Sequence, residues 1–334
     1  MSNLNKRIEI IAEIAQGYEG KPEQALLLAR AGVVSDADAI KFHCVYADDT
    51  SVPEYKHYEF FKTLEMSESV WHEVHAVIRN GGKKLILNLG GEHSLNLAKK
   101  IGVSSIKYHA THFFSTDLIR RSLQEFSKVY ISIGGIAAEE IEWFIDTHGL
   151  QAGASVAFTY GFQSSPTPIE KNNLMKITAL QKRFAGFDFG FEDHADAFGE
   201  DRFNVSVMAM GLGITHLEKH LTLDPYLKLE DSESALSIAE FRKYVETVRR
   251  LEPSLGTGNL ELSEIEHDYR SRVLKVVVSA ADLPAGTILG SQHLALKRPH
   301  TYHPEAFIKA EDLIGKRLGA RVSVNSIIRT EHLV

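Results

Sequence analysis

Two short apolar runs of the chain end in histidine and carboxylate side chains, at residues 188–195 and 214–222. If both runs are strands, their side chains alternate between two faces, so that Glu192 and His194 share one face. By the same rule His216, Glu218 and His220 lie together on one face of the second run. Two imidazoles at the ends of neighbouring parallel strands can reach one metal ion. Ordinary polar residues at strand ends give the same pattern, and the spacing alone does not separate the two interpretations.

Two lysines inside strand-type runs are the second feature with chemical potential. Lys41 lies in DAIKFHCVY and Lys107 in SSIKYHATH, while Glu13 lies near the end of IEIIAEIA. Burying an unpaired ammonium group is costly, so each lysine needs a partner. One interpretation is a set of buried salt bridges that includes Glu13. The other, which we favour, is that both lysines and the carboxylate face one mouth and bind an anion.

The elements that must position these side chains are strands and helices in regular alternation. Eight strand-type runs are separated by helix-type segments up to residue 252 and cover residues 8–15, 38–46, 83–91, 104–112, 128–135, 153–162, 188–195 and 214–222. This alternation predicts a parallel sheet, and eight units in about 250 residues match a (β/α)8 TIM barrel. A doubly wound open sheet is the alternative, but no GxGxxG turn follows the first strand.

Polar side chains collect in the second halves of the predicted strands, where active sites of such barrels are built. They are Glu13, Lys41, His43, Asn88, Lys107, Ser132, Glu192, His194 and His220.

The chain changes character after residue 253. We predict a barrel domain over 1–253, a polar linker over 254–270 and a small, mainly β domain over 271–334. A domain of that size is near the lower limit for an independent core. Its segment Lys297–Pro299 carries two cations, which on composition alone indicates a solvated loop.

Composition excludes several classes of protein. The formal charge of −7 provides no basic surface for nucleic acid. No apolar run approaches the length of a membrane span, and the first residues lack the apolar segment of a signal peptide. The single cysteine, Cys44, cannot form an intrachain disulfide, which fits a reducing compartment. We therefore expect a cytoplasmic protein.

Several segments together resemble the sialic acid synthase family. They are AEIAQGYEG, AIKFH, GFQSSPTP (161–168), EDHA, EKHLTLD and the tail segment that ends in LKRP. The resemblance covers nearly the whole chain in the right order. It implies a TIM barrel followed by a SAF domain, which resembles type III antifreeze protein.

The resemblance also implies a reaction and its residues. Family members are transferases that condense phosphoenolpyruvate with an N-acylated hexosamine aldehyde, release phosphate and form a nine-carbon 2-keto-3-deoxy acid. Their metal-binding histidines match His194 and His220, which implies Mn²⁺ or Mg²⁺ as a Lewis acid at the aldehyde oxygen. The implied substrate-binding residues are Lys41 and Lys107 for phosphoenolpyruvate, Ser132 for its phosphate, and Asp231 and Arg298 for the sugar.

Two further implications concern catalysis and assembly. Glu13 matches a glutamate assigned to handling water or a proton at the tetrahedral step. Arg298 matches an arginine that the small domain commonly presents to the neighbouring subunit's site, which implies a domain-swapped homodimer.

The sequence departs from the family pattern at several positions near the implied substrates. His43 replaces a glutamine, Ala110 and His112 replace a serine and a glutamate, Glu192 replaces a serine and His300 replaces a glycine. An anionic Glu192 repels a phosphate unless a cation pairs with it.

Two alternatives therefore stay open. The first is a metal-dependent aldol-type enzyme on the same scaffold with a different donor, which the group His43, His93, His109 and His112 motivates. The second is a non-catalytic binding or regulatory paralogue.

Overall fold

The computed structural model describes residues 7–161 and 164–334 of the chain. Eight parallel strands form a closed barrel in sequence order, and the last strand pairs with the first. The strands are β1 (Glu9–Ala15), β2 (Ala39–Cys44), β3 (Lys84–Leu89), β4 (Ser105–Tyr108), β5 (Lys128–Ser132), β6 (Val156–Tyr160), β7 (Asp188–Asp193) and β8 (His216–His220). The predicted (β/α)8 barrel is confirmed.

Helices connect the strands. They are α1 (Pro22–Val34), α2 (Ala47–Thr50), α3 (Tyr58–Thr63), α4 (Glu68–Asn80), α5 (Glu92–Ile101), α6 (Thr116–Glu125), α7 (Ala138–Thr147), α8 (Met175–Arg183), α9 (Asn204–Met210) and α10 (Ile238–Leu251). Local sequence sets several of their ends. Pro22 begins α1, where its fixed φ suits the first turn, and the Ser237 hydroxyl caps α10 by accepting from the Glu240 amide. None of the helices in the described ranges has the length and apolar character needed to span a bilayer.

The barrel interior has an apolar floor below a polar upper part. The floor is one buried cluster: Ile11, Ala39, Ile86, Tyr130 and Ala157. Strand side chains alternate, so the residue two positions further along each strand points into the same interior, one step closer to the carboxyl end. Those residues are Glu13, Lys41, Asn88, Ser132 and Thr159. The alternation therefore fixes which side chains face the carboxyl-terminal mouth.

The end of β1 is irregular. The pairing register with β2 shifts between Glu13 and Ala15, and Ala15 has a φ of 50°. A left-handed conformation is unfavourable for a non-glycine residue. Here it lets the Ala15 amide donate to Oε1 of Glu13 at 2.6 Å. The bulge thus anchors the carboxylate of Glu13.

Two connections differ from the sequence expectation. The run 104–112 was predicted as one strand, but β4 ends at Tyr108 and residues Ala110–His112 form a 3₁₀ turn. The chain leaves the sheet there because Phe113 turns into the hydrophobic core. The connection from β2 to β3 differs as well, since residues 47–66 contain the short helices α2 and α3 before α4 begins. Phe162, the last residue of the predicted sixth strand, lies outside the described residues.

Contacts divide the chain into two compact units, with the division between Gly258 and Asn259. The second unit contains α11 (Glu264–Val273) and the antiparallel pair β9 (Val276–Ser279) and β10 (Leu294–Lys297). It has its own core of Val277, Leu283, Leu289, Leu313, Leu318, Val322 and Ile328. The division falls within the predicted linker, and α11 begins inside that range. The bounds 1–253, 254–270 and 271–334 stay predictions.

Candidate active site

A cavity of about 220 Å³ opens at the carboxyl ends of the strands. Its lining residues are Glu13, Lys41, His43, Lys107, His109, Ser164, Ser165, Glu192, His194, Glu218, His220 and Asp231. Of the eight site residues that the resemblance implies, six are brought together here: Glu13, Lys41, Lys107, His194, His220 and Asp231. We refer to this space as the central cavity.

Both lysines of the central cavity are buried and paired. Nζ of Lys41 contacts Oε2 of Glu13 and lies 2.7 Å from Oε1 of Glu218. Nζ of Lys107 lies 2.7 Å from Oε1 of Glu192 and 2.9 Å from each carboxylate oxygen of Glu218. The salt bridges considered from the sequence are therefore present. Binding of an anion by these lysines stays a prediction.

These ion pairs set the protonation states inside the barrel. Burial disfavours the charged form of Glu192, but the ammonium groups of Lys107 and Lys41 outweigh it and lower its pKa to about 2. Burial opposes ionisation of Glu13 in the same way, and Lys41 and His43 hold its pKa well below the usual range. Burial also works against the charge of Lys107, yet Glu192 and Glu218 raise its pKa above the usual value. Glu13, Glu192 and Lys107 are therefore charged at neutral pH.

Glu218 is the member of this cluster that the sequence reasoning did not select. It lies in the middle of β8, is 5% exposed, and bridges Lys41 and Lys107. The alternation that places it on one face with His216 and His220 was the available signal. Its pairing with two distant lysines depends on closure of the barrel, which no local pattern reveals.

His194 and His220 face each other across the ends of β7 and β8, with ring centroids 5.0 Å apart. Burial lowers the pKa of His220 to about 4, so this imidazole is neutral and keeps a lone pair for a metal. Nδ1 of His194 is buried and has no hydrogen-bond partner among the described residues. These two donors fit one transition-metal ion. The described parts of the chain contain no group of three or more metal-ligating side chains, so water or substrate oxygens would complete the coordination.

His216 lies deeper in the barrel, next to the apolar floor. It is 1% exposed, its ring packs edge-on against Tyr130, and burial lowers its pKa to about 3. Gly190 on β7 leaves room for it, because a Cβ there would lie 2.1 Å from Nε2 of His216. These contacts give His216 a packing role.

Unpaired polar atoms surround the upper interior. Ser132 is fully buried at the carboxyl end of β5, and its Oγ has no partner within the described ranges. Oδ1 of Asn88 and Oγ1 of Thr159 share this condition. Buried polar atoms without partners are uncommon, and these three, on β3, β5 and β6, are available to a polar ligand. Ser132 is not among the residues that line the central cavity itself.

His43 and Asp231 also line the central cavity, where His43 lies near Glu13 and Asp231 interacts with His220. Nε2 of His43 is 3.6 Å from Oε2 of Glu13, and the side chain of His43 is 22% exposed. Asp231 has a left-handed φ of 61°, and its charge favours the protonated form of His220, although burial outweighs it. A carboxylate beside each of two imidazoles is an arrangement suited to orienting them.

A second cavity of about 320 Å³ adjoins the first and shares His43 and His109 with it. His112 also lines this space, and burial lowers its pKa. His93 instead packs against Tyr46, with ring centroids 4.9 Å apart. Three of the four histidines that motivated the aldol-type alternative are therefore near one another, without forming a metal-ligating group in the described chain.

Arg298 lies in the second unit. Its side chain is exposed, and its Nε donates to the carbonyl of Val273 at 3.3 Å. Its predicted contact with sugar stays a prediction. Gln163, within the GFQSSPTP segment, lies outside the described residues.

Comparison with known proteins identifies both units. The model of the NeuB family matches residues 30–260, and that of the SAF domain matches residues 275–334. The chain is 26% identical to the pseudaminic acid synthase of Campylobacter jejuni subsp. jejuni serotype O:23/36 (strain 81-176), over 98% of this chain and 97% of the relative. It is 25% identical to the N,N'-diacetyllegionaminic acid synthase of Legionella pneumophila, over 97% and 94%.

A solved structure supports the architecture. The N-acetylneuraminic acid (sialic acid) synthetase from Leptospira borgpetersenii serovar Hardjo-bovis superposes with a TM-score of 0.73 at 23% identity, over 81% of this chain and 93% of that one. This likeness shows the shared fold. Because the family model matches more than half of the sequence, the chain belongs to the NeuB family of sialic acid synthase-like proteins, and a SAF domain follows its barrel.

Proposed function

We propose that this protein condenses phosphoenolpyruvate with an N-acyl hexosamine or a related sugar aldehyde. The product is a sialic-acid-like 2-keto-3-deoxy-nonulosonic acid, and the enzyme is a transferase. One observation carries the proposal: Glu13, Lys41, Lys107, His194 and His220 converge on one cavity of a barrel whose relatives are named as synthases of such acids.

The reaction joins two substrates and adds water. C3 of phosphoenolpyruvate forms a bond to the aldehyde carbon, the aldehyde oxygen takes up a proton, and water adds at C2. The tetrahedral carbon then loses inorganic phosphate and becomes the keto group. The protein must therefore hold an anionic donor, activate an aldehyde and move protons in a confined space.

Lys41 and Lys107 line the cavity and supply the cations for the donor. Ser132 is not part of the lining, and its unpaired Oγ would supply a further hydrogen bond only to a phosphate that reaches beyond the cavity to the end of β5. The Glu13 carboxylate is held by the Ala15 amide and is ionised, which suits a group that accepts a proton from water. His43 is placed to relay that proton, since it lies beside Glu13 and reaches the cavity.

His194 and His220 would hold a divalent metal, Mn²⁺ or Mg²⁺. Such an ion polarises a carbonyl as a Lewis acid. Asp231 lines the same end of the cavity and can accept hydrogen bonds from sugar hydroxyl groups. The donor and acceptor subsites are thus adjacent within the central cavity.

The experiment is a phosphate-release assay with purified protein, phosphoenolpyruvate, Mn²⁺ and a panel of N-acyl hexosamines and their phosphates. Release that depends on both the sugar and the metal supports the proposal. If no sugar supports turnover and phosphoenolpyruvate does not bind, the proposal is lost.

A second candidate is an aldol-type enzyme with another donor. The observation in its favour is that both lysines already pair with carboxylates, which leaves the cavity less basic than an anionic donor prefers. A calorimetric titration that shows metal binding but none of phosphoenolpyruvate would favour it.

Assembly and location complete the proposal. We infer a domain-swapped homodimer in which Arg298 reaches the sugar of the neighbouring subunit, and a cytoplasmic location, where the donor is available.

A further inference from the structure

The central cavity carries more negative than positive charge. Among its lining residues the two ammonium groups of Lys41 and Lys107 face four carboxylates, those of Glu13, Glu192, Glu218 and Asp231. An anion that enters this space meets cations that are already engaged. The affinity of the anion therefore depends on which carboxylate it displaces from a lysine.

Lys107 has no spare donor in this arrangement. An ammonium group has three N–H donors, and Nζ of Lys107 lies within 2.9 Å of three carboxylate oxygens. Two of these belong to Glu218 and one to Glu192. An incoming phosphate or carboxylate can bind Lys107 only after one of these contacts breaks.

Of the two carboxylates that contact Lys107, Glu192 is the one that does not also pair with Lys41. Glu218 bridges both lysines, so moving it breaks contacts to Lys41 and Lys107 together. Oε1 of Glu192 contacts Lys107 alone of the two lysines at hydrogen-bond distance. Displacing Glu192 leaves Lys107 paired with Glu218, so the ammonium keeps a counter-charge.

We propose that Glu192 is a specificity-determining residue whose carboxylate competes with an anionic substrate group for Lys107. It occupies the place of that group, and the donor binds by displacing it. The site thereby rejects weakly bound anions such as free phosphate. The inference rests on the proposed function in naming phosphoenolpyruvate as the anion.

The test is calorimetric binding of phosphoenolpyruvate, and separately of inorganic phosphate, to the full chain without any sugar. Glu192→Gln keeps the shape of the side chain and removes its charge. We expect this variant to bind phosphoenolpyruvate about tenfold more tightly than the wild type. Glu192→Ser should also bind phosphoenolpyruvate more tightly than the wild type. We expect both variants to bind inorganic phosphate more tightly as well.

Asp188→Asn provides the matched control. Asp188 begins the same strand, pairs with Lys128 at 2.6 Å, and lies outside the central cavity. The control makes the same change in net charge but outside the cavity, where salt screens it. We therefore expect the affinity of Asp188→Asn for phosphoenolpyruvate to stay within about twofold of wild type. Equal tightening in Asp188→Asn and Glu192→Gln would reduce the effect to net charge and overturn the inference.

A structure of the unaltered protein with phosphoenolpyruvate gives a second measurement that no folding defect can obscure. We expect the contact between Glu192 and Lys107 to open beyond hydrogen-bond distance. An intact contact beside bound phosphoenolpyruvate overturns the inference, as does unchanged or weaker binding in folded Glu192→Gln. Tighter binding without turnover for any sugar would keep this inference and refute the proposed function.

Discussion

Glu218 links the two halves of the charged interior at the level of single residues. Its carboxylate accepts from Lys41 on β2 and Lys107 on β4, across the barrel from β8. Removing one partner of a buried pair leaves an uncompensated charge and typically costs about 3–5 kcal/mol, whereas exposed pairs contribute little. The cluster therefore holds its members in one geometry, which a site for an anion and an aldehyde needs.

The paired imidazoles allow a direct prediction. His220→Ala removes one of two proposed metal ligands, so we expect weaker Mn²⁺ binding by calorimetry and a loss of phosphate release of about 100-fold or more. His72→Ala, on the exposed face of α4, is the control and should leave both quantities unchanged. Full metal affinity in His220→Ala would show that His220 is not a ligand.

Sequence reasoning located most of these side chains but not their partners. Lys41 and Lys107 were recognisable because a lysine inside an apolar run demands an explanation. Which carboxylate each one meets depends on the closure of β8 onto β1 and on the width of the barrel. The pairing of Glu218 with both lysines and that of Glu192 with Lys107 were therefore beyond the reach of local patterns.

At the level of elements, β7 and β8 depend on one small residue. Gly190→Ala would place a methyl group 2.1 Å from Nε2 of the buried His216, so either this imidazole or the strands must shift. We expect the free energy of unfolding to fall by about 1–3 kcal/mol in urea titrations. The shift should also displace Glu192 and thereby reduce turnover.

Gly211→Ala is the matched control for this substitution. Gly211 has an ordinary helical φ of −63°, and a Cβ there would meet nothing closer than 3.4 Å. Its unfolding free energy should change by less than about 0.5 kcal/mol. A loss as small in Gly190→Ala would mean that the barrel accommodates the extra methyl group without strain.

The order of strands and helices was predictable because each barrel strand is buried on both faces and reads as a compact apolar run. The ends of the strands were less predictable. His109 and the residues up to His112 continue the pattern of β4 in sequence, yet the structure turns there into a 3₁₀ helix. Tertiary packing of Phe113, rather than local propensity, decides that boundary.

At the level of the whole molecule, buried titratable groups predict a loss of stability in acid. His216 has an ordinary pKa of 6.5, and burial lowers it to about 3 in the folded chain. Between these values the unfolded chain binds a proton that the folded chain does not, so stability decreases as the pH falls. The lowered pKa values of Glu13 and Glu192 act in the same direction below about pH 4.5.

We therefore expect the free energy of unfolding in urea to decrease steadily from pH 7 to pH 4.5. His216→Gln removes one titrating group and should give a shallower slope, even though the variant is less stable at pH 7. His220, whose pKa is also lowered, keeps part of the slope. An identical slope in wild type and His216→Gln would mean that folding does not lower the pKa of His216.

Assembly of the site from two subunits can be tested with two inactive variants. His220→Ala removes a proposed metal ligand from the barrel. Arg298→Ala removes the side chain of the second unit that is proposed to bind the sugar in the neighbouring subunit. If each site combines one subunit's barrel with the other's Arg298, a mixed dimer has one site with both defects and one site with none. Random exchange should then restore about a quarter of wild-type phosphate release, because half of the dimers are mixed and each has one intact site.

The same mixture separates the two possible origins of the arginine. If Arg298 acts within its own subunit, every site in the mixed dimer keeps one defect, and activity stays at the level of the separate variants. Size-exclusion chromatography with light scattering provides the control, since both variants must form dimers and exchange subunits. Restored activity would mean that the barrel of one chain and the SAF domain of another form the catalytic unit, so dilution below the dimer dissociation constant should abolish turnover while each barrel stays folded.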